Sequence, residues 1–286
     1  MKKSWFARVA VLLLVVGVSG PPALAVIGGV VDEGNPPRYP NVGCVVVISQ
    51  HGVLIEPFDG GSLSLIHPRV ALTAGHVANN AQMLIAAGVF DLADARVSFA
   101  SDPLDPDSWL EIEAFVAHPK YEVDPGNVDL DYDIGCIILK EPVAGIEPVE
   151  LAPVGFLGQL RKTGALLRGE TRFTVVGYGN DRAFPPPTSV ETEPLRRFAD
   201  VVFGAVTAKW LTFLDNPMAH DGGTWQGDSG GPAFWTDPAT GGLVQVGVAS
   251  FANLVTLSQF ARVDLPEMRG FIDSVVGEVE AADAAE

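Results

Sequence analysis

The sequence predicts an all-β protein of two β-rich halves closed by a single C-terminal helix. Three observations carry that prediction. Short apolar runs rich in β-branched residues recur at intervals set by Gly, Pro and Asx residues, the spacing of a barrel or sandwich. No long 3.6-residue apolar period occurs before residue 264. A stretch punctuated by Pro and Gly, 142–158, divides the runs into halves of similar size.

Taken in order, residues 1–25 carry Lys2, Lys3 and Arg8, then an apolar run over 9–18, then the small-residue pattern Ala23-Leu24-Ala25. That is the arrangement of a secretory signal cut after Ala25. The apolar run is about half of the roughly 20 residues that a membrane-spanning helix needs. The first half, 26–150, holds strand patterns at 43–48, 69–73, 83–89, 96–100, 109–117 and 134–139. The second half, 151–263, holds them at 172–176, 198–207, 232–235, 243–251 and 259–263. Residues 264–280 read as a helix: Asp264 as its cap, Pro266 early, Glu267 at capping-box spacing, and Phe271, Ile272, Val275, Val276 and Val279 as one apolar stripe. The last residues, 281–286, read as a solvated acidic end.

With 286 residues, 48% of them hydrophobic, the chain can bury a sizeable core. Its formal charge of −17 becomes −20 once the three basic residues of the leader are removed. Such a surface disfavours nucleic acid and, after signal cleavage, stable association with anionic membranes. The two cysteines, Cys44 and Cys136, lie in separate apolar runs with no C-x-x-C or Cys/His grouping, which speaks against zinc and redox roles. Buried thiols and one disulfide both fit. The acid-rich run 102–107 reads as a solvated loop, with calcium binding as its alternative. No cofactor is expected, and oligomeric state is not encoded in any pattern found.

The chemistry centres on Gln226-Gly227-Asp228-Ser229-Gly230-Gly231-Pro232. A serine among glycines is also an ordinary turn, so a nucleophile reading requires a base and a group that orients the base. Five histidines are present: His51, His67, His76, His118 and His220. All precede Ser229, which removes the α/β-hydrolase order, where the histidine follows the serine. His76 alone stands directly after an apolar strand and among small residues, in Leu72-Thr73-Ala74-Gly75-His76. The others adjoin Gly or Pro or fall in a loop, where packing or surface roles suffice. Asp133 leads into an apolar strand, as a buried orienting carboxylate should, whereas Asp129 and Asp131 lie in the polar loop before it. The chain order is His76, Asp133, Ser229.

These segments resemble the three catalytic segments of chymotrypsin-like (trypsin-like) serine proteases. Gly60-Gly61-Ser62-Leu63, His118-Pro119-x-Tyr121 and Gly177-Tyr178-Gly179 extend the resemblance, which covers 26–276. It implies two six-stranded antiparallel β-barrels with the active site between them, and a serine endopeptidase acting on proteins or peptides. His76 and Asp133 would come from the first barrel and Ser229 from the second, and the backbone N–H groups of Gly227 and Ser229 would form the oxyanion hole.

The resemblance further implies a specificity pocket at Gly223, Thr224, Ser250, Phe251 and Ala252. With no carboxylate at its floor and Ala252 on its wall, it suits a small or medium apolar residue. Trp225 and Val77 stand where the family usually has cysteines, and the loop 252–260 is short. A free N-terminus at Val26 would pair with Asp228, and the residue before it is Ala25 of the leader, so signal cleavage itself would create that terminus. The competing reading is a protease homologue that binds a partner without hydrolysis; retention of all three triad residues favours catalysis.

Overall fold

In chain order the strands are β1 (Val30–Val31), β2 (Val42–Ser49), β3 (Gly52–Leu54), β4 (Ser62–His67), β5 (Val70–Thr73), β6 (Ala95–Ser98), β7 (Trp109–Ala117) and β8 (Gly135–Leu139), then β9 (Arg172–Gly177), β10 (Arg197–Val206), β11 (Trp210–Leu214), β12 (Pro232–Thr236), β13 (Leu243–Asn253) and β14 (Leu257–Arg262). The helices are α1 (Gly75–Ala86), α2 (Phe156–Lys162) and α3 (Pro266–Asp283). They belong to a computed structural model that describes residues 26, 28–49, 52–54, 61–121, 131–179, 194–214, 222–224, 226–253 and 257–285.

The strands close into two six-stranded antiparallel barrels, as the resemblance implied. In the first, the order β2-β4-β5-β8-β7-β6 is closed by β6 pairing with β2, with β3 added beside β2. In the second, the order β10-β11-β14-β13-β12-β9 is closed by β9 pairing with β10. Closure leaves each ring without a free edge. Register shifts in β4, β7, β10, β12 and β13 supply the local bends that closing so short a ring demands. Inward residues of the first barrel include Val45, Leu63, Leu65, Val97, Ile112, Phe115 and Ile137. The second is filled by Phe173, Phe213, Phe260, Val246 and Val248, with Phe213 edge-on to Phe260 at 5.1 Å.

The N-terminal end belongs to the second barrel, because β1 pairs with β10 through Val30↔Phe198 and Val31↔Arg197. A buried ion pair lies just beyond it and reaches across into the first barrel. Arg196 Nε donates to Asp32 Oδ2 at 2.9 Å, and the same guanidinium reaches the carbonyls of Val42 and Phe99 and the hydroxyls of Tyr178 and Ser101. Asp32 also accepts the backbone N–H groups of Arg38 and Tyr39. All three guanidinium nitrogens and both carboxylate oxygens are hydrogen-bonded, which is the condition for burying charge.

Several expectations are corrected here. The stretch 83–89, expected as a strand, is the end of α1 and the turn after it; Met, Leu and Ala favour helix, and its buried face of Val77, Ala78 and Ala81 is too small to print a periodic stripe. Helix α2 begins at the end of the stretch 142–158 expected as a connection and continues beyond it. Asp264 does not cap α3: it is fully buried and accepts from Arg262 at 2.8 Å and from the Leu157 backbone N–H at 2.9 Å, leaving Leu265 at the cap position. Glu267 pairs with Lys120 instead of closing a capping box. The helix runs to Asp283 rather than 280, since its Ala/Glu-rich end favours helix and Asp283 pairs with Arg69 of the first barrel. Strands β1, β3, β4 and β11 were not expected. Cys44 and Cys136 are separate buried thiols, and burial pushes both up, that of Cys136 to about 12. The expected leader 1–25, Ile27, His51, His220, Trp225 and Glu286 lie outside the described residues.

Candidate active site

Helix α1 starts one residue before His76, directly after β5, so the imidazole stands at the rim of the first barrel. Asp133 approaches from the segment before β8, which lies beside β5 through Leu72↔Cys136 and Thr73↔Gly135. The carboxylate grips the histidine twice. The His76 backbone N–H donates to Oδ1 at 2.7 Å, and Nδ1 lies 2.9 Å from Oδ2 and 3.1 Å from Oδ1. The Ser250 hydroxyl completes the shell, donating to Asp133 Oδ2 at 2.5 Å.

Asp133 is fully buried, while 22% of the His76 side chain remains exposed. One imidazole nitrogen is therefore committed to the carboxylate, and part of the ring remains exposed. Burial by itself would lower the His76 pKa; the charge of Asp133 and its hydrogen bond outweigh it, and the pKa is raised above the ordinary 6.5. Tyr121 feels the same carboxylate: burial first, and the Asp133 charge second, push its phenol up to about 12.

The serine loop crosses to meet this pair. The Ser62 backbone N–H donates to the Ser229 carbonyl at 2.7 Å, and the Gly230 N–H to the Ala249 carbonyl at 2.8 Å. Gly230 has φ +87°, and a Cβ there would lie 2.1 Å from Thr73 Oγ1 and 2.2 Å from the Ser62 carbonyl. No other residue allows the loop to lie so close to β5, the strand that leads into the helix carrying His76. Ser62 Oγ donates to the Gly227 carbonyl at 3.0 Å and accepts from the Tyr178 N–H at 3.0 Å. Gly227 itself has φ +91°, a conformation that aims its backbone differently from that of any ordinary residue.

Asp228 points away from the cleft, into the second barrel. Its Oδ2 accepts the backbone nitrogen of Val26 at 3.1 Å and its Oδ1 that of Gly179 at 3.0 Å. Val26 is fully buried. The carboxylate occupies the space where a side chain at position 177 would begin, 2.2 Å from an added Cβ, which explains Gly177 in the Gly177-Tyr178-Gly179 segment.

A cleft of about 250 Å³ opens beside the serine. Thr224, Ser250, Phe251 and Ala252 line it with Ser229, and Gln226 and Ala249 complete the wall. Gly223 is buried and is not among its lining residues. The β13 irregularity between Ala249 and Phe251 falls at Ser250, which lines the cleft and turns its hydroxyl onto Asp133. Neither the Ser250–Asp133 bond nor the bridging role of Ser62 was legible in sequence, because each joins residues more than a hundred positions apart.

Two other histidines are described. His67 accepts the Arg69 N–H and lies 3.9 Å from Glu280. His118 is buried, stacked on Tyr132 and edge-on to Phe271. Its Nδ1 accepts the Lys120 N–H at 3.1 Å, and burial lowers its pKa. Both are packing residues. In the run 102–107, Asp102 and Asp105 accept backbone N–H groups of their own turns.

Compared with models of known protein families, the chain matches the family described as Trypsin over residues 32–263. Among curated proteins, none matches it.

Proposed function

The chain belongs to the trypsin family of serine proteases, and on that premise we propose that it is a secreted serine endopeptidase working through an acyl-enzyme. Ser229 attacks the peptide carbonyl, His76 takes the hydroxyl proton and returns it to the leaving amine, and Asp133 fixes the imidazole tautomer and stabilises the imidazolium. The backbone N–H groups of Gly227 and Ser229 stabilise the oxyanion, where a single donor is typically worth about 10²- to 10³-fold in rate. The observation that carries this reading is the His76 Nδ1 to Asp133 Oδ2 bond of 2.9 Å beneath an imidazole that remains partly exposed.

The cleft favours a small or medium apolar residue before the scissile bond. Among the described lining residues no carboxylate is present to meet Lys or Arg, and Ala252 narrows the wall. The N-terminal geometry supports a maturation route. Removal of residues 1–25 as a secretory signal turns the Val26 nitrogen into an ammonium already 3.1 Å from Asp228, so signal cleavage produces the working form without a second cut.

The test is made on the mature secreted protein. Its intact mass should begin at Val26, a serine-directed phosphonate should label it, and Ser229→Ala should abolish both labelling and hydrolysis while leaving the thermal unfolding temperature in place. A mature wild type that is neither labelled nor active is instead a binding homologue. A peptide-library profile with strict Arg or Lys preference overturns the pocket assignment, and a mass beginning elsewhere overturns the maturation route.

A further inference from the structure

Among the described residues only two other than glycine have positive φ, Val26 and Tyr132. Tyr132, at φ +62°, immediately precedes Asp133, and a bulky aromatic residue rarely adopts that left-handed conformation. The turn is tight, with the Ile134 N–H returning to the Tyr132 carbonyl at 2.6 Å. It is also clamped from outside by side chains of helix α3.

The Tyr132 ring lies parallel to that of His118, centroids 4.9 Å apart and 15° between planes, and Phe271 of α3 meets the other side of His118 at 4.9 Å, edge-on. Lys120 Nζ lies 5.3 Å from the Tyr132 centroid and pairs with Glu267, also of α3. The circuit closes on itself: Phe271, His118, Tyr132, Lys120, Glu267, and back along one helix. The His118 backbone N–H meanwhile donates to the Ile134 carbonyl at 2.9 Å, and Asp131 on the opposite side pairs with Lys209. The segment that presents Asp133 is thus held before, at and after the carboxylate.

We infer that Tyr132 is a positioning residue for catalysis: its ring, stacked into the α3 circuit, keeps the backbone in the left-handed turn that delivers Asp133 to His76. This rests on the protease reading above. A glycine at 132 would accept the same φ at no steric cost but would leave the turn free to exchange with extended conformations. The tyrosine does the opposite, accepting an unfavourable torsion and holding it by packing, as strained residues at functional sites do.

The experiment compares Tyr132→Phe, Tyr132→Gly and Tyr132→Ala as full mature chains. It reads kcat per phosphonate-titrated site, KM, and the His76 pKa by NMR. Tyr132→Phe keeps the stack and should stay within about 2-fold of wild type in kcat. The alanine and glycine variants should lose roughly 10- to 100-fold in kcat with KM nearly unchanged, as expected for a misplaced catalytic group. Their His76 pKa should fall, because burial is then no longer outweighed by a close carboxylate. If Tyr132→Ala lowers only the unfolding temperature, with kcat per titrated site and the His76 pKa unchanged, the ring merely packs and the inference is overturned. Should the alanine variant not fold, Tyr132→Leu, which keeps apolar bulk without a stacking plane, is read by the same criteria. A wild type that neither hydrolyses nor labels sinks the protease reading, yet the His76 pKa still decides the positioning role.

Discussion

Asp32 and Asp133 are both buried to within 2% of complete and both face a basic side chain, but their partners differ in one respect. Arg196, the partner of Asp32, is itself wholly buried, and its guanidinium is spent on Asp32, two carbonyls and two hydroxyls. His76, the partner of Asp133, keeps 22% of its side chain exposed and gives the carboxylate only one ring nitrogen. The first pair is wholly enclosed, and its guanidinium reaches into the first barrel at Val42 and Phe99. The second leaves part of its imidazole exposed. Burial of a carboxylate therefore does not by itself separate a candidate catalytic pair from a structural one; the two differ in how fully the basic partner is enclosed.

The largest effect that tests this contrast is on rate. Asp133→Asn keeps the shape but removes the charge and forces the wrong tautomer on His76, so kcat should fall by about 10⁴-fold while the protein stays folded. Near-normal turnover by the folded variant would erase the distinction. Next comes stability. Asp32→Ala strands the Arg196 guanidinium in the interior, and denaturant unfolding should show a loss of about 3–5 kcal/mol, the cost of breaking a buried pair. Turnover per titrated site in the surviving folded fraction should be unchanged; a selective loss of kcat would mean that the enclosed pair also shapes the cleft.

The smallest effect is a pH dependence with two opposite signs. Because the His76 pKa is raised, the base should be lost as pH falls through a midpoint above 6.5, and kcat/KM should drop about tenfold per pH unit below it. For stability the same shift runs the other way. A raised folded pKa means that the protonated imidazole is favoured in the native state, so its contribution is complete below about 6.5 and lost as pH rises through the folded value. Between those two values activity climbs while this one contribution declines. A kinetic midpoint at or below 6.5 would mean that burial, rather than Asp133, controls the histidine. The Asp32→Ala variant should leave that midpoint where it is.

How much was legible in advance depends on how far a residue's partners lie along the chain. The expected strand 109–117 coincides with β7 because its apolar residues report burial locally. Strand β4 was missed for the opposite reason. Its Ser62 and Ser64 are buried, with hydroxyls satisfied by the Gly227 carbonyl and Gln245 Oε1, 165 and 181 positions away, so in sequence they look like turn residues. Helix α1 was missed because Ala and Gly on its inner face pack closely without forming an apolar stripe. Asp264 misled because an Asp before Pro266 has the look of a cap until Arg262 and Leu157 claim its oxygens.

By itself the sequence determined the two β-rich halves, the family, and His76, Asp133 and Ser229 as the candidate triad, since motif, spacing and chain order are local properties that one strand of text preserves. The tertiary structure alone decided that Ser250 donates to Asp133, that Ser62 links the barrels through Gly227, that Arg196 pairs with Asp32, and that Tyr132 sits in a left-handed turn under an aromatic column. The physical reason is the same for all four. Hydrogen bonds and ring contacts act over a few ångströms of space, and barrel closure brings together residues whose separation in sequence carries no trace of that proximity.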